Sequence, residues 1–181
     1  MSLQKKISIL GAGQAGAYAA SEIRKYDKES QITIFSEESY LPYERPPLSK
    51  ECIIGKKNFE ELSFFSKSFY EVENINIKYQ AVEKVNFEKK ILITNDNQNH
   101  NYDSLLIATG SKNRQLSYDK ENQDIKDNIL YLRNIEDSKK IKNIIESHNK
   151  FAIIGGGFIG LEIASSISQL NKTAHIIEMG S

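Results

Sequence analysis

Residues 6–16 read KISILGAGQAG, and this stretch decides the fold of the chain. A short apolar run leads directly into a glycine turn, and the residues that follow, AYAASEIRKY, have apolar side chains at helical spacing. A second apolar run, QITIF at residues 31–35, comes after this helix. The pattern therefore predicts a strand, a turn, a helix and a strand, which together form a βαβ unit.

The same order of features returns near the end of the chain. KFAII at residues 150–154 leads into GGGFIG, then into the helical stretch LEIASSISQL and the apolar stretch TAHIIE. Both turns have GxGxxG spacing, and an acid follows the next strand: Glu37 or Glu38 in the first copy, Glu178 in the second. A strand before the glycines, a helix after them and an acid about 20 residues on form the dinucleotide-binding pattern. The sequence therefore predicts two dinucleotide-binding units in an α/β protein.

Each glycine of this pattern has a physical task. The first permits a tight turn, the second lets the backbone approach a pyrophosphate, and the third lets helix and strand pack closely. The helix N-terminal amides then face the anion, and the acid accepts hydrogen bonds from ribose hydroxyls. The alternative is that both turns serve packing alone. The glycines at these three positions are Gly11, Gly13 and Gly16 in the first turn and Gly155, Gly157 and Gly160 in the second.

The segment between the two turns predicts further elements of the first domain. Residues 75–94 alternate between apolar and polar side chains, which predicts short antiparallel strands inserted in that domain. The stretch YDSLLIATGSKNR, residues 102–114, contains an apolar strand that ends at Ala108, Thr109 and Gly110. Residues 135–149 carry isoleucines among lysines, which predicts an amphipathic helix before the second turn.

Composition excludes several classes of function. The chain has 181 residues, with 24 Lys and Arg against 24 Asp and Glu, so a basic surface for nucleic acid or an anionic membrane is not expected. No apolar run approaches the roughly 20 residues of a membrane span, and the first glycines follow the start too soon for a secretory signal. We therefore predict a cytoplasmic protein. The single cysteine and the separated His100, His148 and His175 predict no disulfide and no metal site.

All three prolines of the chain lie within LPYERPPLSK, residues 41–50. Such a segment is neither a helix interior nor a central strand, so it predicts a stiff loop. The loop carries Glu44, Arg45 and Lys50. Its charges either contact an anionic ligand or, as the alternative, belong to a solvated surface turn.

These motifs together resemble a known family. The first glycine turn, then SEESYLPYERPPLSKE, ATG, LYLRN, IIGGGFIGLEIA and IIEM are similar to the flavin-dependent NADH:ferredoxin reductases that serve oxygenase systems. These are relatives of the apoptosis-inducing-factor flavoproteins within the pyridine nucleotide-disulfide oxidoreductase superfamily. The resemblance implies the first part of a Rossmann-like FAD-binding domain, a parallel sheet with inserted antiparallel strands, over residues 4–115. A linker and helix over 116–149 and the beginning of a Rossmann-like NAD-binding domain over 150–181 would follow.

The resemblance also implies a role for individual residues. The implied catalytic residues are Lys50, near the reactive edge of the flavin, and Glu162, facing the nicotinamide; the alternative for Glu162 is a structural acid favoured by the helix dipole. The implied FAD contacts are Gly11, Gly13, Gln14, Ala15, Gly16, Glu37, Glu38, Arg45, Lys50, Val82, Ala108, Thr109, Gly110 and Arg133. The implied NAD contacts are Gly155, Gly157, Ile159, Gly160, Glu162 and Glu178.

The activity that the resemblance implies is hydride transfer from NADH to FAD, followed by single-electron transfer to a ferredoxin-type iron-sulfur protein. Disulfide reductases of the superfamily need a CxxxxC pair, which this chain does not have. Its one cysteine, Cys52, is instead predicted to be a buried thiol on a helix face.

Reductases of this type are much longer than 181 residues, so the sequence is interpreted as an amino-terminal part of one. We expect that this chain alone does not catalyse NADH-dependent electron transfer and that it is a soluble oligomer or an aggregation-prone monomer with weak or absent flavin. The alternative function is a catalytically inert, truncated nucleotide-binding fragment or an interaction module.

Overall fold

The computed structural model of the chain describes residues 4–116 and 128–180. Residues 117–127 of the predicted linker and Ser181 of the predicted NAD-binding domain lie outside the described residues. The described residues form two compact units. The first contains the residues up to Glu44 together with Ser63–Ser111, and the second contains Arg45–Leu62 together with the residues from Lys112 onward.

The first unit is built on a parallel sheet in the strand order β3-β2-β1-β7. Along the chain, α1 lies between β1 and β2, α2 lies between β2 and β3, and β4 to β6 lie between β3 and β7. The bounds are β1 Lys6–Leu10, α1 Gln14–Tyr26, β2 Gln31–Phe35, α2 Lys67–Val72, β3 Ile75–Lys78, β4 Val82–Asn86, β5 Ile91–Thr94, β6 Asn99–Asn101 and β7 Ser104–Ile107. Because β2 lies on one side of β1 and β7 on the other, the sheet has a topological switch point between β1 and β7. In open α/β sheets, ligands bind beyond the carboxyl ends of the strands at such a point.

The core of the first unit comes from the alternation in its strands. Isoleucines at every second position of β1, β2 and β3 face the same side, where the small residue Ala20 lets α1 approach closely. Burying one isoleucine side chain stabilises the fold by about 1.5–3 kcal/mol. The buried members of this cluster are Ile7, Ile9, Ala20, Ile32, Ile34, Tyr70 and Ile75.

The inserted antiparallel strands are confirmed in part. Strands β4 and β5 pair antiparallel, as residues 82–94 predict, and β6, which lies outside the predicted range, joins them in a three-stranded antiparallel sheet. The expectation was wrong for β3, which pairs parallel to β2 in the main sheet, with Ile32 beside Ile75. The physical reason is that Ile75 and Ile77 extend the apolar face formed by β1 and β2.

The second unit has a two-stranded parallel sheet flanked in sequence by helices. The elements are 3-10 helices at Pro46–Ser49 and Phe59–Leu62, α3 Ile135–Ser147, β8 Lys150–Ile154, α4 Phe158–Gln169 and β9 Thr173–Ile177. Helix α3 confirms the predicted amphipathic helix: Asn134 and Asp137 form a capping box at its start, and Ile141 and Ile145 pack against Ile53 and Ile167. In the part of the chain that the structure describes, none of the helices combines the length and the apolar composition of a membrane span.

Candidate nucleotide-binding sites

The first glycine turn follows β1 at the carboxyl edge of the sheet. Gly11 has φ +104°, a conformation that favours glycine, and its N–H donates to Phe35 O at 3.0 Å. A Cβ at Gly11 would overlap the carbonyl oxygen of Ala108, and one at Gly16 would overlap the carbonyl oxygen of Gly11. Glycine at positions 11 and 16 therefore lets β1, β7 and α1 meet at the switch point.

Gly13 differs from these two glycines. A Cβ at Gly13 would have no atom within 4 Å, so the space in front of it is open. Gly13 is also the N-cap residue of α1, with no side-chain cap and no acidic residue in the first turn. Gln14 and Ala15 are exposed there. The free amides and the helix dipole suit an anion at this point, so the turn fits the pyrophosphate of a dinucleotide.

The two acids after β2 have different surroundings. Glu37 is exposed, whereas Glu38 is half-buried and its carboxylate accepts a hydrogen bond from the Tyr43 hydroxyl. Ser36 fixes the backbone between strand and loop, because its hydroxyl donates to Glu38 O at 2.8 Å and accepts from Glu38 N at 3.1 Å. Both acids therefore lie at the edge where the glycine turn lies, and Glu37 is the more accessible one.

The remaining predicted FAD residues of this unit also lie near the carboxyl ends of β1 and β2. Ala108 N donates to Leu10 O at 2.8 Å, and the following Gly110 turns the chain with φ +70°. Val82 packs against the buried cluster that contains Leu10 and Phe35. The first unit thus brings its predicted FAD contacts to one edge of its sheet.

The second glycine turn repeats this geometry. Gly155 has φ +101°, and its N–H donates to Ile177 O at 2.8 Å. A Cβ at Gly160 would overlap the carbonyl oxygen of Gly155, while one at Gly157, the N-cap residue of α4, would meet nothing within 4 Å. Ile159 is exposed on the first turn of α4. The second unit therefore also has open space at the middle glycine.

Glu178 lies beside this second turn. Its carboxylate accepts hydrogen bonds from Gly156 N at 2.5 Å, Met179 N at 2.8 Å and Gly180 N at 3.1 Å. These backbone donors, Gly156 first, lower the pKa of the Glu178 carboxyl below its ordinary value. The group is therefore ionised at neutral pH and is held at the end of β9.

The proline segment forms a 3-10 helix, Pro46–Ser49, in the second unit. Pro46 and Pro47 occupy its first positions, which need no backbone donor. Pro47 is buried, and the Arg45 guanidinium donates to Arg133 O at 2.5 Å. The segment is therefore anchored, as a stiff loop should be, which disfavours the alternative of a solvated surface turn.

Lys50 and Glu162 form an ion pair, with Lys50 Nζ 3.0 Å from Glu162 Oε1. The Ser49 hydroxyl donates to Glu162 Oε2, and this hydrogen bond, followed by Lys50, lowers the pKa of the Glu162 carboxyl. Both residues line a cavity of about 580 Å³ together with Phe158 and Leu161. The structure thus brings the two predicted catalytic residues together.

The sequence did not predict the three buried serines around this pair, Ser49, Ser138 and Ser166. A signal for two of them was present. Ser138 is at helical spacing from the buried Ile135, Ile141 and Ile145, and Ser166 precedes the buried Ile167. A polar residue in an apolar stripe indicates a buried hydrogen bond.

Cys52 is buried, as predicted, and burial raises the pKa of its thiol. Its predicted place on a helix face was wrong, because it lies in the turns that follow Lys50, where Gly55 adopts φ +75°. Among residues 4–116 and 128–180, no three His, Cys, Asp or Glu side chains come together as metal ligands do.

Comparison with known proteins identifies the family. The model for pyridine nucleotide-disulphide oxidoreductases matches residues 5–181. The chain is 34% identical over 179 residues to a probable ferredoxin reductase, CtmF, of Castellaniella defragrans, covering 98% of this chain and 43% of that protein. It is 36% identical over 174 residues to the ferredoxin–NAD(+) reductase component of the p-cumate 2,3-dioxygenase system of Pseudomonas putida, covering 96% of this chain and 42% of that protein.

A solved structure agrees with these relatives. The covalent putidaredoxin reductase–putidaredoxin complex matches with a TM-score of 0.87 and 30% identity, over 96% of this chain and 42% of that chain. The chain thus spans less than half the length of the proteins it matches. The likeness confirms the predicted Rossmann-like α/β fold and the resemblance drawn from the motifs. The chain belongs to the pyridine nucleotide-disulphide oxidoreductase family.

Proposed function

We propose that this chain carries the nucleotide-binding parts of an FAD-dependent NADH:ferredoxin oxidoreductase. The observation that carries the proposal is the repeated glycine turn. In each unit a strand ends at a glycine with positive φ, and a helix begins at a glycine with open space in front of it. Two such turns suit a protein that binds two dinucleotides, and packing alone gives no reason for the open space at Gly13 and Gly157.

The first unit is proposed to hold FAD. The pyrophosphate would bind the amides at Gly13, Gln14, Ala15 and Gly16, and the ribose would bind Glu37 or Glu38. The resemblance to ferredoxin reductases adds further contacts, which stay predictions. These are Arg45, Lys50, Val82, Ala108, Thr109, Gly110 and Arg133.

The second unit is proposed to hold NADH. The turn at Gly155, Gly157, Ile159 and Gly160 would receive the pyrophosphate. The ionised Glu178 carboxylate, held by three backbone amides, would accept the ribose hydroxyls. These amides use part of its accepting capacity, and a carboxylate has about four lone-pair sites in all.

Lys50 and Glu162 are proposed to act where the nicotinamide meets the flavin. When bound, FAD supplies the conversion of a two-electron hydride into single electrons. The protein's contribution is a fixed positive and a fixed negative charge. The Lys50 ammonium favours negative charge nearby, and the Glu162 carboxylate keeps that ammonium oriented through the 3.0 Å contact.

The electron acceptor is proposed to be a ferredoxin-type iron-sulfur protein. The names of the relatives support this: one is a component of a dioxygenase system, and a solved relative is covalently joined to putidaredoxin. A cytoplasmic location stays a prediction from the sequence.

Flavin reconstitution tests the proposal. The whole protein that contains this chain is unfolded and refolded with excess FAD, desalted and then mixed with NADH without oxygen. A retained flavin absorbance that NADH bleaches, with electrons passed on to added ferredoxin, supports the reductase. A protein that retains no flavin contradicts it.

The second candidate function is an inert fragment or interaction module. Apolar side chains exposed along β8, α4 and β9, among them Ile154, Phe158 and Ile177, favour it for the 181-residue chain by itself. The same assay on this chain tests the second candidate directly: an inert fragment leaves NADH unoxidised whether or not FAD is present, so a chain that binds FAD and oxidises NADH would contradict it.

A further inference from the structure

The loop that carries Lys50 is tied to both helices of the second unit by buried serine hydroxyls. Ser138 on α3 donates to Leu48 O at 2.7 Å, and Ser166 on α4 donates to Ser49 O at 2.8 Å. Ser138 is 0% exposed and Ser166 is 2% exposed. Carbonyls near the end of a helical turn lack intrahelical donors, so these hydroxyls satisfy two successive ones.

Buried hydroxyls of this kind fix a backbone closely. Each donor is enclosed by protein and has no water to exchange with, so the bonded geometry is strongly favoured over any displaced one. The two serines come from different helices and bind adjacent residues of the loop. Together they restrict two successive peptide groups, Leu48–Ser49 and Ser49–Lys50.

The side chains of Ser49 and Lys50 both contact the Glu162 carboxylate. The Ser49 hydroxyl donates to Glu162 Oε2, and Lys50 Nζ lies 3.0 Å from Glu162 Oε1. One carboxylate therefore receives two donors from consecutive residues, which requires the loop backbone to hold one orientation. A small rotation at Ser49 would move both donors away at once.

We infer that Ser138 and Ser166 are positioning residues that set the Lys50–Glu162 pair. Their hydroxyls fix the backbone at Leu48 and Ser49, and through it they fix the two donors to the Glu162 carboxylate. The catalytic meaning of this role rests on the proposed function, whereas the geometry does not.

The pKa of the Glu162 carboxyl is the readout. It is measured by a carbon-13 NMR titration of the whole chain at a concentration at which it is monomeric, and the resonance is assigned by its loss in Glu162→Gln. The hydrogen bond from Ser49 and the charge of Lys50 lower this pKa in the wild type. Lys50, Glu51 and Lys56 are the other ionisable groups that line the adjoining cavity, and all variants keep them.

In Ser138→Ala and in Ser166→Ala we expect the Glu162 pKa to rise by about half a unit, a threefold change in its proton affinity. Ser166→Thr, which keeps a hydroxyl, should remain close to the wild type. The matched controls are Ser147→Ala on α3 and Ser165→Ala on α4, two exposed serines on the same helices. Both controls should leave the pKa unchanged.

An unchanged Glu162 pKa in folded Ser138→Ala and Ser166→Ala would overturn the inference. If either alanine variant does not fold, Ser138→Cys and Ser166→Cys replace it, because a thiol fills the same space but donates weakly. The Glu162 pKa is expected to rise in the cysteine variants as well, and an unchanged pKa in them would also overturn the inference. The titration uses neither flavin nor NADH, so it tests only the positioning role of the serines. The flavin reconstitution tests the proposed function separately.

Discussion

Lys50 Nζ and Glu162 Oε1 lie 3.0 Å apart although the two residues are far apart in the chain. A second donor, the Ser49 hydroxyl, holds the other oxygen of the same carboxylate. The side chains of Lys50 and Glu162 are 43% and 29% exposed, so solvent screens part of the attraction between them. This arrangement links the loop after the prolines to the helix that follows the second glycine turn.

The first prediction concerns the pH dependence of stability. The folded-state pKa of Glu162 lies below its ordinary value of 4.5, chiefly through the hydrogen bond from Ser49. Its ionised contacts therefore stabilise the folded state above about pH 4.5, and this stabilisation is lost as pH falls through the lower folded pKa. Urea unfolding of wild type and Glu162→Gln should show the wild type more stable at pH 7 and the difference shrinking toward pH 3. An exposed glutamate on α3, changed as Glu146→Gln, is the control. A difference that stays constant over this range would show that the charge of Glu162 does not contribute.

The second prediction separates two glycines of the first turn. Gly16→Ala places a Cβ against the carbonyl oxygen of Gly11, so we expect a loss of about 1–3 kcal/mol in the free energy of unfolding. Gly13→Ala places its Cβ in open space, so it should destabilise by about 1 kcal/mol or less. The same Cβ stands where the pyrophosphate would approach, so Gly13→Ala should abolish FAD binding. Chemical unfolding and flavin retention measure the two effects. FAD binding that survives Gly13→Ala would contradict the proposed site.

The strands and both glycine turns were predictable from the sequence because their signals are local. KISIL and KFAII are apolar runs that end at a glycine, and the turn needs that glycine for a backbone conformation other residues disfavour. Strand β3 shows the limit of local signals. INIK alternates like an antiparallel strand, and only the burial of Ile75 beside Ile32 decides that it joins the parallel sheet.

The candidate site was less predictable because its contacts join distant parts of the chain. Lys50 and Glu162 were named from motifs, but the hydroxyls that fix the loop backbone just before Lys50 come from Ser138 and Ser166, which no motif contains. Buried hydrogen bonds depend on which carbonyl lies nearby after folding. Spacing along the sequence does not carry that information.

The third prediction is that the 181-residue chain self-associates. Phe158 is 88% exposed, and Ile154 and Ile177 are each more than half exposed beside a sheet of two strands in the described residues. Such apolar area and unpaired strand edges favour association. Light scattering with size-exclusion chromatography should show the mass rising with protein concentration, and Phe158→Ser should reduce the rise. Tyr26→Ser, an equally exposed aromatic residue of the first unit, is the control. A monomer at every concentration would contradict the prediction.

The fourth prediction is a preference for NADH over NADPH, set by Glu178. Its carboxylate is ionised at pH 7, since the ordinary pKa of a glutamate is already well below 7 and three backbone amides lower it further, so it should accept the 2′-hydroxyl of NADH and repel the 2′-phosphate of NADPH. Binding of NAD and NADP to the whole protein, measured by calorimetry at pH 7, should favour NAD. Glu178→Ala removes a hydrogen bond to a charged group, so it should weaken NAD binding by about tenfold or more. The difference between the affinities for NAD and NADP should therefore become smaller.

Two further variants separate the effect of the Glu178 charge on nucleotide affinity from a general effect of removing a carboxylate. Glu146→Ala removes an exposed carboxylate from α3 of the same unit and should leave both affinities unchanged. Glu178→Gln keeps a hydrogen-bond acceptor but loses the charge, so NAD binding should persist while the repulsion of NADP falls. A wild type that prefers NADP would show that Glu178 does not select the nucleotide. An unchanged ratio of affinities in Glu178→Gln would show that the charge of Glu178 is not what discriminates between the nucleotides.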